Sequence, residues 1–189
     1  MYVIRERLFR LGEDSDITDE AGQPVLRVDG KVLSLHNRLI LRDPAGREAG
    51  QPALHVDGKV LSLHNRLILR DQVGREVGQV HRKLAALRPT YEITIDGKDV
   101  AEIRRHVLAP FGERFTIDVH GADGMEIRGD LLSHEFTIRR DGHTVATISK
   151  RWLSMTTSYA VEVAPGEDDL LILASVLALD LAIDAEHDH

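Results

Sequence analysis

The chain has 189 residues, 42% of them hydrophobic, enough for one domain (1–189) with a sizeable core. Thirty-one acidic against 24 basic residues give a net charge of -7 with histidine neutral, which steers it away from nucleic acid and anionic membrane unless a local basic patch reverses the field. Cysteine is absent, which excludes a disulfide scaffold, thiol catalysis and thiolate metal sites.

The opening stretch, MYVIRERLFRLG (1–12), mixes charged with apolar residues and lacks the continuous apolar segment of a secretory signal, pointing to a cytoplasmic protein. Residues 22–49 are then followed by a near copy, 50–77, in which 23 of 28 positions agree. Sixteen of these are consecutive: VDGKVLSLHNRLILRD stands at Val28–Asp43 and again at Val56–Asp71. The five differences (Val25/Ala53, Arg27/His55, Pro44/Gln72, Ala45/Val73, Ala49/Val77) can each arise by one base change, as in a tandem duplication that has begun to drift.

The same theme continues more loosely in YEITIDGK, RFTIDVHGADG and EFTIRRDGH. Tyr91, Ile93 and Ile95 fall on one face of an extended segment and Glu92, Thr94 and Asp96 on the other; Phe115, Ile117 and Val119, and Phe136 and Ile138, repeat the alternation of half-buried strands. Each run closes on Asp and Gly, residues that tolerate the positive φ of tight hairpins. The body is therefore an antiparallel meander. A solenoid has a similar period, but these units lack its fixed length and apolar ladder. A strand pair is one complete unit of a meander, and 28 is even, so the duplication leaves every other inside/outside assignment unchanged.

Glu167, Asp168 and Asp169 precede LLILASVLALDLAI (Leu170–Ile183), placing acid at the positive end of a helix over 166–186. Only Ser175 and Asp180 interrupt its apolar surface, so it is expected to be buried all round. Fourteen residues are shorter than the roughly 20 needed to cross a bilayer, and such a helix suits the lumen of a closed meander.

The run Ser149, Lys150, Arg151, Trp152, then Tyr159 with Val161 and Val163, then the acidic turn into the apolar helix bearing Asp180, resembles the LURP-one-related family. Apart from one copy of the repeat, the resemblance covers essentially the whole chain. It implies the tubby-like fold: a closed antiparallel β-barrel of about twelve strands around a buried hydrophobic C-terminal helix, a mainly β class shared with tubby proteins and phospholipid scramblases. It implies no catalytic residues.

The ten histidines are scattered, and the terminal EHDH has ligand residue types without fixed geometry, so no metal site is expected. No nucleophile elbow and no phosphate-binding glycine loop is present, so neither catalysis nor a cofactor is expected. Basic pairs recur along the meander: Arg82 and Lys83, Arg104 and Arg105, Arg139 and Arg140, Lys150 and Arg151. Gathered on one rim they would bind anionic lipid head groups; read singly they are edge charges that discourage aggregation. The expected function is a non-enzymatic binding or scaffold module for a protein or a lipid head group. The alternative is a scramblase-like protein whose helix contacts lipid at the membrane.

Two further strands in a closed wall would open space around a helix sized for the smaller barrel, and empty core costs about 24 cal/mol per Å³. The barrel is therefore expected to keep its parental strand number. One copy, or a composite of both, would project as a hairpin carrying Leu33, Leu35, Leu39 and Leu41, or their second-copy equivalents, and would promote self-association.

Overall fold

The computed structural model describes residues 1–5, 15–32, 64–83, 88–106, 113–130, 135–153 and 156–187. Twelve strands follow in order: β1 (Tyr2–Arg5), β2 (Ser15–Asp19), β3 (Pro24–Val32), β4 (His64–Arg70), β5 (Glu76–Arg82), β6 (Thr90–Ile95), β7 (Lys98–Arg105), β8 (Glu113–Val119), β9 (Met125–Asp130), β10 (Glu135–Arg140), β11 (His143–Leu153) and β12 (Thr156–Val163). The helix α1 (Asp169–His187) comes last. Each strand pairs antiparallel with its sequence neighbours, and β1 pairs with β12 (Tyr2 opposite Val161), closing the barrel.

The expected alternation holds. Tyr91, Ile93, Phe115, Ile117, Phe136 and Ile138 are buried in the core, and Glu92, Thr94 and Thr116 lie half-exposed on the outer face. In β11 both Val145 and Ala146 are buried, because a bulge opposite Ile138 and Arg139 inserts one extra residue.

An up-and-down barrel has two unlike ends. At one, the tight end, strands reverse within short turns: β6 to β7 through Asp96 and Gly97, β10 to β11 through Asp141 and Gly142, and β4 to β5 through residues 71–75. Asp96 and Gly97 have φ of 48° and 74°, Asp141 and Gly142 47° and 80°, the two consecutive positive values of a type I′ hairpin turn. Every positive-φ glycine among the described residues lies at this end, one in each of its six connections. At the other, the long end, β3 and β4 are joined through the long segment 33–63.

The duplication is resolved as a composite. The barrel has twelve strands, with β3 drawn from the first copy and β4 from the second. The register places Val28 opposite Leu69 and Asp29 opposite Ile68. The surplus unit, with Leu33, Leu35, Leu39 and Leu41, falls in 33–63, outside the described residues.

The helix enters from the tight end and fills the lumen. Asp168 caps it, its carboxylate accepting from the amides of Leu170 and Leu171 at 3.0 and 3.1 Å. Ile172, Leu173, Ala174, Leu177 and Ala178 are at most 1% exposed. The two polar interruptions are accommodated differently: the Ser175 hydroxyl donates to the Leu171 carbonyl at 2.8 Å, whereas Asp180 lies half-buried near the long end. The helix packs chiefly against β5, β6 and β7.

Candidate functional site

The four basic pairs do not share a rim. Arg82, Lys83, Arg104 and Arg105 lie where β5 and β7 finish at the long end, and Lys150 and Arg151 lie in β11 toward that same end, their side chains outside the described residues. Arg139 and Arg140 close β10 at the tight end.

Strand alternation also divides the members of each pair. Arg82 stands opposite Tyr91, and Arg105 opposite Phe115, on rows that face inward, so both occupy the mouth of the barrel. Arg105 holds Glu113 through two hydrogen bonds of 2.9 Å, and its guanidinium lies 5.9 Å from the centre of the Phe115 ring. Next to this mouth the buried Tyr91 hydroxyl donates to the Leu181 carbonyl of the helix at 3.2 Å.

Lys83 and Arg104 lie on the outer face. Lys83 bridges Glu92, at 2.7 Å, and Glu102, carboxylates that the register sets side by side on β6 and β7. The hydrogen bond to Glu102, then that to Glu92, holds the Lys83 ammonium above its usual range, and Lys83 in turn pulls the Glu102 carboxyl below its own. Arg104 pairs with Asp118 across β7 and β8. At the tight end Arg140 donates to Glu167 at 2.6 Å, tying β10 to the start of the helix, and Arg139 donates to the Gly142 carbonyl at 2.6 Å.

A small cavity of about 20 Å³, room for one water, lies between the second half of the helix and the wall opposite β5 to β7. Ile4, Phe136, Ile148 and Leu177 line it, with Asp180 and Tyr159 as its polar members. Among the described residues no group of three or more His, Asp or Glu side chains is placed to hold a metal ion.

The sequence reading named the cations and missed their partners. Glu92, Glu102, Glu113 and Asp118 stand on neighbouring strands, well apart in sequence from the bases they hold, and such a separation carries no local signal before register is known. Tyr2 was also missed. Its hydroxyl donates to Asp169 at 2.7 Å, and that bond, with burial, pushes its pKa up to about 12.

Comparison with known proteins agrees with this architecture. The LURP-one-related profile matches residues 1–49 and 47–180, breaking where the first copy of the repeat gives way to the second. The chain belongs to the LURP-one-related family. The uncharacterized protein YxjI of Bacillus subtilis (strain 168) is 33% identical over 186 residues, spanning 98% of this chain and 94% of its own length. An Arabidopsis thaliana protein solved by X-ray crystallography shares the fold at 13% identity, with a TM-score of 0.54 over 97% of this chain and 91% of that one.

Proposed function

We propose that this LURP-one-related protein is a non-enzymatic intracellular binding or scaffold module whose working surface is its outside. The filled lumen carries this reading. Inward-facing Ile17, Val28, Leu67, Val80, Ile103 and Val161 are fully buried around the helix. A barrel packed in this way has no interior for a ligand, unlike wider barrels that keep a cavity. Recognition then falls to the outer wall and the rims.

A protein partner fits that surface better than a lipid head group. Lys83, Arg104, Arg105 and Arg140 already spend their charge on carboxylates, and the chain is net acidic. The ion pairs on the outer face of β5 to β8 also mark a wall that meets water rather than acyl chains. The scramblase-like alternative requires the helix to leave a lumen where its central residues are almost wholly buried. No helix among the described residues is long and apolar enough to cross a membrane.

Vesicle flotation tests the choice. The expected result is no flotation with either neutral or anionic vesicles at physiological salt. Salt-sensitive flotation with anionic vesicles, lost in Arg82→Glu/Arg104→Glu, would move the assignment to head groups. Flotation with neutral vesicles would move it to the scramblase-like reading.

A further inference from the structure

The wall uses each half of the repeat once, and that choice has a physical cause. Because His36–Arg42 and His64–Arg70 are identical, as are Val28–Val32 and Val56–Val60, the β3 and β4 positions can be filled in three ways from the same two copies. In the observed way β3 comes from the first copy and β4 from the second, so the surplus lies between them at the long end, where the segment 33–63 amounts to one whole repeat unit and three positions more.

If both strands came from the first copy, the short segment 33–35 would join them, and the surplus would fall between Arg42 and Glu76, at the tight end. If both came from the second, it would fall between Asp19 and Pro52, again at the tight end. Each alternative dissolves a tight turn. The first gives up the turn at 71–75, where the Asp71 amide donates to the Arg75 carbonyl at 2.9 Å and the Asp71 carboxylate accepts from the amides of Val73 and Arg75. It also gives up the bond from the Gln72 side chain to the Pro24 carbonyl, 2.9 Å, which Pro44 could not replace. The second gives up the turn closed by Asp19 and Gln23, and exchanges the half-buried Val25 for Ala53. A fourth possibility, in which the first copy also began β5, is closed, because Pro52 would then stand in place of Val80 and has no N–H for the ladder.

The wall itself barely registers these exchanges. With both strands from the first copy, buried Leu67 and Leu69 would be replaced by Leu39 and Leu41, and the partner of Asp29, now Arg70 at 2.7 Å, would become Arg42. One surface turn is the main difference between two complete barrels.

We propose that the doubled unit is a two-position element: a minor fraction of molecules builds β4 from His36–Arg42, and in these the surplus unit stands at the tight rim rather than the long one. The core and the helix stay as they are while the outline of both rims changes. A partner that bound one rim would select one arrangement by differential affinity.

The chain has no cysteine of its own, so engineered pairs report the register without background. Asp29→Cys with Ile68→Cys marks the observed arrangement, since these residues face each other across β3 and β4; Asp29→Cys with Ile40→Cys marks the alternative. Oxidation of folded protein should form the first disulfide in most molecules and the second, within single chains, in a minority. Gly74→Ala strains the 71–75 turn, where φ is +81°, in the observed arrangement and not in the one that builds β4 from His36–Arg42, and should raise the second cross-link about tenfold relative to the first. Asp71→Ala weakens the same turn without backbone strain and should act in the same direction. A second pair that stays reduced in the parent and in both turn variants would overturn the proposal. So would disulfides that join two chains, because they would place the exchange between molecules.

Discussion

At the tight end of the barrel the chain reverses in short turns, with one positive-φ glycine in each connection; at the long end the connections vary in length, from 154–155 between β11 and β12 to 33–63 between β3 and β4. The first end is specified locally, by Asp and Gly in the turn itself. Contacts between elements hold both ends: Arg105 on Glu113, Lys83 on Glu92 and Glu102, and Tyr91 on the helix carbonyl of Leu181 at the long end, and Tyr2 on Asp169 and Arg140 on Glu167 at the tight end. The contrast accounts for where the duplication came to rest. Moving the surplus to the tight end would lose the hydrogen bonds of a built turn, at 71–75 or between Asp19 and Gln23, whereas the β3–β4 connection, three residues without the surplus, carries it at an entropic cost that grows only with the logarithm of length.

The largest expected effect removes what both ends share. Leu173→Asp buries an unpaired charge at a position 1% exposed and should cost more than about 5 kcal/mol, comparable with the stability of a whole domain. Circular dichroism should show no cooperative melt. A folded variant with the parental midpoint would place the helix outside the lumen.

Two glycines sharpen the comparison directly. Gly129, in β9 toward the long end, is a packing glycine: an added Cβ would run into the Glu135 carbonyl and the Phe136 ring. Gly142, in a tight turn, has open space around it and a φ of +80°. Gly129→Ala should cost about 3 kcal/mol by overpacking, and Gly142→Ala about 1 kcal/mol by backbone strain, both read from denaturant midpoints. The reverse order would mean that the turns, not the long-end packing, limit stability.

Deleting Leu33–Val60 leaves a three-residue connection between β3 and β4, and should hold the melting temperature or raise it, with a gain of up to about 2 kcal/mol from the shorter loop. Marked destabilisation would show that the surplus unit supports the wall. At the tight end, Asp168→Ala should cost about 1 kcal/mol by uncapping the helix.

The smallest effect is alkaline. The folded pKa of Tyr2 is raised to about 12 above an unfolded value near 10, so its stabilisation is fully present below pH 10 and is lost as pH rises through 12. Because the bond to Asp169 is exposed, it amounts to less than about 1 kcal/mol after screening. Stability of Tyr2→Phe should fall less steeply than that of the parent over this range.

Legibility in the sequence follows the same division. Asp96–Gly97 and Asp141–Gly142 punctuate the chain, and Tyr91, Ile93, Phe115 and Ile117 alternate cleanly, so the meander and its tight turns could be read directly. The apolar run at Leu170–Ile183 announced a buried helix because burial on all sides leaves no polar stripe. The pairing that closes the barrel, Tyr2 with Val161, has no local signature; closure was suggested by an apolar helix in need of a lumen and implied by the family resemblance. Register was equally hidden. The basic residues were visible, but their partners lie on neighbouring strands, and the convergence of all four pairs on one rim fails because β10 ends at the opposite end from β5 and β7. The composite origin of β3 and β4 is invisible to any reading of residue type, because the two copies are identical there.

The position of the helix also sets an order in time. The barrel cannot close until β12 has been synthesised to meet β1, and its lumen cannot fill until the helix that follows β12 is free to enter. A nascent chain that has emerged as far as β11 thus presents eleven strands' worth of inward-facing Ile, Leu, Val and Phe with nothing to cover them, and a first strand paired with β2 on one edge and open on the other. Eleven of the twelve strand pairings join sequence neighbours, so closure of β1 on β12 and entry of the helix are the long-range steps of folding, and the interval between emergence and closure is when the chain depends most on protection from aggregation.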